Sequence, residues 1–291
     1  MTDKFLIGHA QDINKGTGVT VILAPEGAVG GVSVRGAAPG TRETDLLRPL
    51  NSVQKANAVV LSGGSAFGLE SCHGVMEYLR ERGWGFQAGD HVVPIVPGAV
   101  LFDLNYKGFA YPDKAMGYLA ACSAKAFNNS QGSIGAGAGA TIGKILGPDH
   151  AAKAGIGVST FKLNDGLELT AIIAVNAWGD IYNDKNEVIA GLTPPKKSVL
   201  EHLLAGASYD GSGQNTTIGC VLTNAKLTKE EANKLADLAH DGLALAIKPV
   251  HTAFDGDTIF ALASGEVEGN FLALSAACPE VVAQAIRQSV C

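Results

Sequence analysis

The sequence lacks the patterns that mark several large classes of protein. No apolar run approaches the roughly 18 residues that a membrane-spanning helix requires. The first residues contain no long apolar stretch ahead of a cleavage site, so no secretory signal is predicted. We therefore expect a soluble cytoplasmic protein.

Cysteine, histidine and positive charge are arranged in ways that exclude further functions. The five cysteines are widely spaced and form no CxxC pair, which argues against a zinc knuckle or a redox dithiol and favours free thiols. The seven histidines show no HxxxH spacing, and none is assigned to a metal. The formal net charge of −6 is unlike that of a nucleic-acid-binding protein with a basic face.

Apolar residues and glycine are abundant. With 46% hydrophobic and 17% charged residues over 291 positions, the chain can bury a sizeable core and is not expected to be disordered. The 37 glycines have no three-residue period, so they indicate tight turns and close backbone approaches rather than collagen. No internal repeat or low-complexity linker is present, and we expect one domain over residues 1–291.

Apolar periodicity and turn residues predict strands and helices in mixed order. The predicted strands are residues 18–23, 32–35, 58–61, 155–161, 168–175, 217–222 and 258–263, with a turn-rich segment at 25–31, a hairpin turn at 164–166 and an exposed loop at 208–214. The predicted helices are residues 66–82, 112–128, 196–206, 228–247 and 271–289. Paired strands with helices between the pairs indicate an α+β protein of layered αββα architecture.

The junction between Asn215 and Thr216 is the most informative segment. A polar, glycine-rich loop ends there and an apolar strand begins. A threonine hydroxyl at such a junction can attack the preceding carbonyl and, after hydrolysis of the ester, leave a free N-terminal threonine. An N-terminal amine is a recognised base for activating a threonine nucleophile. The alternative interpretation is an ordinary turn that Asn215 stabilises.

Two acidic residues, Asp255 and Asp257, precede the last predicted strand. One residue apart on an extended segment, they point to the same side. They could therefore orient a hydroxyl and hold an ammonium charge beside it. The alternatives are a turn or a metal loop, but the further oxygen ligands of a calcium loop are absent.

Three other segments offer candidate site residues. Asn176 ends a buried strand, where its amide could donate to a developing oxyanion, or it could be a strand-ending turn residue. A glycine-rich stretch leads to Lys144 and fails the phosphate-loop pattern, so Lys144 is either carried into a cleft or exposed on the surface. Gly64 and Ser65 lie in a strand-to-helix turn that fails the serine-elbow pattern and is expected to line a pocket.

Taken together, these segments resemble one family, the DmpA-type self-processing aminopeptidases, which include L-aminopeptidase/D-esterases, β-peptidyl aminopeptidases and the nylon-oligomer hydrolase NylC. The resemblance rests on the order of residues 62–69, 111–114, 135–144, 175–176, 215–217 and 255–258. It implies the αββα sandwich of the DOM, N-terminal-nucleophile-like type. It also implies autocleavage into residues 1–215 and 216–291, no cofactor or metal, and a homo-oligomer, often a tetramer.

The resemblance also implies roles for individual residues. Thr216 matches the nucleophile, Asn215 supplies the cleaved carbonyl, and Asn176 matches the oxyanion-hole amide. Asp255 and Asp257 match an acidic pair that is Ser and Glu in the β-peptide enzymes, and Lys144 matches a pocket lysine. Phe102 stands in the substrate pocket where several members carry a tyrosine, so that hydroxyl is missing here.

The predicted function is hydrolysis of short peptides or amides through a threonine acyl-enzyme, with release of an N-terminal amino acid. An acyltransferase resembling ornithine acetyltransferase is the alternative on the same scaffold, because only the acceptor would differ. A non-catalytic binding protein is a third hypothesis, against which a hydroxyl residue at position 216 argues.

Overall fold

The computed structural model describes residues 3–164, 166–192, 197–208 and 215–290. The strands are β1 Leu6–Asp12, β2 Thr17–Val34, β3 Gly40–Arg42, β4 Lys55–Ser62, β5 Phe86–Ala88, β6 His91–Val93, β7 Gly98–Val100, β8 Lys125–Ala126, β9 Thr141–Ile142, β10 Ala152–Lys153, β11 Ile156–Lys162, β12 Glu168–Asn176, β13 Asp180–Tyr182, β14 Val188–Ala190, β15 Thr216–Ala225, β16 Ile247–Lys248 and β17 Thr258–Val267. The helices are α1 Ser71–Glu81, α2 Lys114–Cys122, α3 Val199–Leu204, α4 Lys229–Ala246 and α5 Phe271–Gln288.

Among the described residues, the principal sheet has ten strands. Eight lie in the order β11-β12-β15-β17-β2-β4-β7-β3, while β1 pairs with β2 and β8 pairs with β1. Strand β2 connects its two halves, because its first part pairs with β1 and β4 and its last part pairs with β17. The sequence predicted two strands separated by a turn at 25–31, and this was wrong. Pro25 and Gly27 instead lie where the β2–β4 register shifts between Leu23 and Ala28, as expected of residues that interrupt a ladder without ending the strand.

The two halves of this sheet pack on each other and carry helices on their outer faces. Alternate residues of β12 enter different cores: Ile173 lies with residues of α4 and α5, whereas Ile172 lies with Ile22 and Leu61 of the other half-sheet. The opposite face of β4 packs against α1 and α2. The layers are therefore helix, sheet, sheet and helix, and the predicted αββα architecture is confirmed.

Several predicted helices begin or end elsewhere in the structure. Residues Ser65–Glu70 form a 3₁₀ turn, so the helix predicted from 66 starts at Ser71. Helix α2 starts after Asp113, whose side chain accepts from the Met116 amide at 2.8 Å, and it ends at Cys122 rather than near 128. The capping box that begins α4 is confirmed. Residues 193–196, where a predicted helix began, lie outside the described residues.

The register of β15 places residues from three parts of the chain together. Strand β15 is antiparallel to β12 and parallel to β17, and the predicted β11–β12 hairpin pairing is confirmed. The ends of these strands thereby bring residues 176, 215–217 and 255–257 to one edge. None of the helices in the described part of the chain has the length and apolar character to cross a membrane.

Candidate active site

Thr216 is the first residue of β15 and lies among buried backbone. Its side chain is 5% exposed, and its register partner on β12 is Asn176, which is fully buried. Asn215 forms an isolated parallel bridge with Asp255, just ahead of β17. The structure thus brings together Asn176, Thr216 and the acidic segment, which are far apart in the sequence.

The Thr216 hydroxyl lies directly against the carbonyl group of the preceding residue. Its Oγ1 is 2.5 Å from the Asn215 carbonyl oxygen. The same oxygen accepts the backbone N–H of Gly256 at 3.0 Å. A Cβ at position 256 would lie 2.9 Å from Thr216 Oγ1 and 2.5 Å from the Ala38 carbonyl oxygen, so a glycine is needed for this close approach.

The two carboxylates have different partners. Asp257 Oδ1 accepts the Thr217 amide at 2.7 Å, and its Oδ2 lies 2.7 Å from His251 Nδ1. Asp255 Oδ2 accepts both the amide and the hydroxyl of Thr252, at 2.8 and 2.6 Å. Burial, followed by repulsion from Asp257, raises the pKa of Asp255 to about 6.

Asn176 and Lys144 form a second polar group at the edge. Lys144 Nζ donates to Asn176 Oδ1 at 2.8 Å and to the Asn176 carbonyl at 3.1 Å. Asn176 Oδ1 also accepts the Thr141 amide, while Asn176 Nδ2 donates to the Phe102 carbonyl at 2.9 Å. Burial lowers the pKa of Lys144 to about 7, against the opposing attraction of Asp255 and Asp103.

A cavity of about 440 Å³ opens beside Lys144. Acidic side chains, basic side chains and part of the glycine-rich stretch line this cavity. The lining residues are Phe102, Asp103, Asn105, Tyr106, Gly139, Thr141, Lys144, Gly147, Pro148, Asp149, Ala151 and Lys153. Two of the predicted site residues, Phe102 and Lys144, therefore border the same space.

Gly64 and Ser65 contact this region through the backbone. The Gly64 amide donates to Asp103 Oδ1 at 2.7 Å, and the Ser65 amide donates to the Leu101 carbonyl at 2.9 Å. Both residues have positive φ, 80° and 51°, which forms the tight turn before the 3₁₀ segment. The Asp103 carboxyl group that accepts the Gly64 amide is buried, and burial raises its pKa to about 6.

Residues 4–291 match the family described as Peptidase family S58. The chain belongs to this family. It is 42% identical over 268 residues to an uncharacterized aminopeptidase of Mycobacterium leprae, with 86% of this chain and 72% of the relative covered. It is 31% identical over 271 residues to a 6-aminohexanoate-oligomer endohydrolase of Agromyces sp., with 90% and 73% covered.

Solved structures of similar fold agree with this assignment. A structure of L-aminopeptidase D-Ala-esterase/amidase from Ochrobactrum anthropi, described as a variant of the Ntn hydrolase fold, matches with a TM-score of 0.73 and 14% identity, covering 99% of this chain and 83% of that one. A Burkholderia sp. beta-aminopeptidase matches with a TM-score of 0.70 and 17% identity, covering 98% and 83%. The predicted family, the N-terminal-nucleophile type of fold and the enzyme class, a peptidase or amidohydrolase, are confirmed for this S58 chain.

Sequence reasoning missed three parts of the site. The Gly256 amide cannot be identified from the sequence, because a backbone donor leaves no signature in side-chain chemistry. The partners of the two carboxylates, His251 and Thr252, were also missed, although both lie in the same short run as the acids. The spacing of a histidine six residues before Asp257 was the available signal.

Proposed function

We propose that this S58 chain cleaves itself between Asn215 and Thr216, giving chains 1–215 and 216–291. We further propose that Thr216 then hydrolyses short peptides or amides and releases their N-terminal residue. The observation that carries the proposal is the contact of the Thr216 hydroxyl with the Asn215 carbonyl inside a buried site, with the Gly256 amide on the same oxygen.

The contact supports a specific sequence of bond changes. Thr216 Oγ1 attacks the Asn215 carbonyl carbon, and the Gly256 N–H stabilises the negative charge that develops on the oxygen. The C–N bond breaks as the proton moves to the Thr216 nitrogen, leaving an ester. Water hydrolyses the ester, which yields the Asn215 carboxylic acid and a free α-amine on Thr216.

The new amine supplies the base for the hydrolytic reaction. An α-amine has a pKa of roughly 7.7–8.0, so near neutral pH part of it is free to take the hydroxyl proton. Asp255 and Asp257, buried within this edge, favour the ammonium form that results. Asn176 is proposed as a hydrogen-bond donor to the oxyanion. In other enzymes the loss of one such donor raises the activation free energy by roughly 2.7–4 kcal/mol.

Lys144 is proposed to act electrostatically on the same step. Its ammonium group donates to Asn176 Oδ1 and to the Asn176 carbonyl oxygen, so it fixes the amide plane and adds positive charge beside the oxyanion position. The field of the ammonium form is stronger than it would be in water, since the effective dielectric constant is lower. Burial also lowers the pKa of Lys144 to about 7, so this form is lost as pH rises above 7.

The cavity beside Lys144 is proposed to receive the N-terminal residue of the substrate. Its volume of about 440 Å³ accommodates a small group, and Phe102 supplies an apolar wall in place of the family tyrosine. The names of two relatives, an aminopeptidase and an oligomer endohydrolase, both describe hydrolases of oligomeric amides or peptides. We also propose a cytoplasmic location. The family resemblance further supports a homotetramer, which light scattering on the purified protein measures.

The test is the intact mass of the purified protein, compared among wild type, Thr216→Ala and Thr216→Ser. We expect two fragments from wild type, one chain of 29.8 kDa from T216A, and cleavage in T216S because a hydroxyl is retained. Release of p-nitroaniline from a panel of aminoacyl p-nitroanilides should follow cleavage. Full hydrolytic activity in uncut T216A would refute the proposal, and product formed only with an added amine acceptor would favour the acyltransferase.

A further inference from the structure

His251 lies at the end of a hydrogen-bonded chain that leads to the nucleophile. Its Nδ1 is 2.7 Å from Asp257 Oδ2, and the other oxygen of that carboxylate accepts the Thr217 amide at 2.7 Å. The His251 side chain is 20% exposed, whereas that of Asp257 is 2% exposed. An imidazole near the surface is thus connected, through one buried carboxylate, to the backbone directly after Thr216.

The surrounding structure fixes His251 in an uncommon conformation. Its φ is +52°, in the left-handed region that non-glycine residues seldom adopt. Its ring lies 4.9 Å from the ring of His240, whose Nε2 is 3.0 Å from the Ser33 carbonyl. A residue held in a strained backbone region beside an active site is a candidate for function.

The segment that follows β2 fixes the main chain of Asp257. The Asp257 carbonyl oxygen accepts the amides of Arg35 and Gly36, each at 3.1 Å. The backbone of Asp257 is therefore fixed independently of its side chain. What the imidazole adds is control over the rotation of the carboxylate group itself.

A buried carboxylate requires a donor for each oxygen, because an unpaired buried charge is costly. Without His251, Oδ2 would lose its donor while it remains close to Asp255. The carboxylate would then rotate, and its hold on the Thr217 amide would weaken. Thr216 is the adjoining residue, so its hydroxyl would lose its defined position.

We propose that His251 is a positioning residue that acts on Thr216 through Asp257. In the described part of the chain it bonds Asp257 and packs against His240. The inference rests on the proposed role of Thr216, and it assigns a function to a histidine outside the reacting groups. Its effect should therefore appear in kcat and in the rate of self-cleavage, with little change in KM.

Two amide substitutions at the same position separate positioning from general structural support. In His251→Asn the amide nitrogen lies near the position of Nδ1, and asparagine tolerates a left-handed φ. In His251→Gln the amide extends about one bond further, toward the position of Nε2. We expect H251N to retain kcat within about threefold, and H251Q and H251A to lose about 10- to 100-fold, with KM within about twofold, since small displacements of catalytic groups have effects of this size.

A double-mutant cycle tests whether the effect passes through Asp257. H251A, Asp257→Asn and the double variant are assayed for self-cleavage and for hydrolysis of an aminoacyl p-nitroanilide. If His251 acts through Asp257, H251A should have less than about a twofold effect in the D257N background. Exposed His91→Ala serves as the matched control and should leave both rates unchanged.

Three results would overturn the inference: wild-type kcat in H251A, equal loss in H251N and H251Q, or independent, additive effects of H251A and D257N. The H251N and H251Q comparison decides the matter even where H251A does not fold. T216A in the same assay keeps the two proposals distinct, because hydrolysis by T216A would refute the nucleophile whatever His251 does.

Discussion

Replacing Asp255 by asparagine should stabilise the uncut chain at neutral pH while removing activity. Asp255 is 2% exposed, and burial together with repulsion from Asp257 raises its pKa from 3.8 to about 6. A gap of about 2 between the folded and unfolded pKa values corresponds to about 3 kcal/mol, since one pKa unit is about 1.36 kcal/mol. Asparagine keeps an acceptor for Thr252 and carries no charge.

The effect has a defined pH window. A carboxyl group whose folded pKa is raised stabilises the fold fully below the unfolded pKa of 3.8, and this contribution is lost as pH rises through the folded pKa of about 6. D255N does not titrate, so it avoids that loss. Its advantage should be small at pH 4 and reach on the order of 1–3 kcal/mol above pH 7.

Urea unfolding followed by circular dichroism measures this difference. Both proteins carry Thr216→Ala, so that each is a single chain of the same length. Asp184→Asn, at an exposed carboxyl group, is the matched control and should change the free energy of unfolding by less than about 0.5 kcal/mol. An advantage for D255N that is absent at pH 7.5, or equal at pH 4 and 7.5, would refute the reasoning.

Two further substitutions test other contacts of the site. Gly256→Ala places a Cβ 2.9 Å from Thr216 Oγ1. Because the hydroxyl is displaced, we expect self-cleavage, followed on gels over time, to slow by about 100-fold. A wild-type rate would contradict the role given to this close approach. Lys144→Met removes a lysine whose pKa burial lowers from 10.5 to about 7. A lowered lysine pKa makes the fold gain stability as pH rises from 7 toward 10.5. The T216A chain should therefore gain on the order of 2–3 kcal/mol between pH 7 and 9 relative to the same chain carrying K144M. A difference in unfolding free energy that is the same at pH 7 and 9 would contradict this.

Candidate residues for the site could be proposed from the sequence, but their hydrogen-bond partners could not. Thr216 and Asn176 each lie at the terminus of a strand of apolar residues, where a turn explains a polar residue equally well, so the resemblance to the family is what assigns them roles. The bond from the Gly256 amide to Asn215 depends on the parallel register of β15 and β17, two segments about 40 residues apart. Local patterns do not fix such a register, because each strand is apolar on both faces.

The same limit explains the error at β2. Pro25 and Gly27 usually end a strand, and the sequence around them was interpreted as a turn. In the structure the chain continues because β2 pairs with β4 on one side of the irregularity and with β17 on the other. Only the completed two-layer arrangement supplies those partners, so local propensity was overridden by tertiary pairing.

The register of β15 and β17 explains why a glycine lies between Asp255 and Asp257. Parallel pairing places residue 256 against Thr216, where the distance of 2.9 Å from a hypothetical Cβ to Oγ1 admits only glycine. Side chains alternate along an extended segment, so Asp255 and Asp257 point to the face opposite that of residue 256. Asp257 accepts the Thr217 amide there, and Asp255 accepts the Thr252 amide. The glycine is therefore required by the close approach of the Ala38 backbone and of the Thr216 hydroxyl rather than by a turn. A larger residue between the two acids would displace the threonine hydroxyl, which is the effect expected of Gly256→Ala.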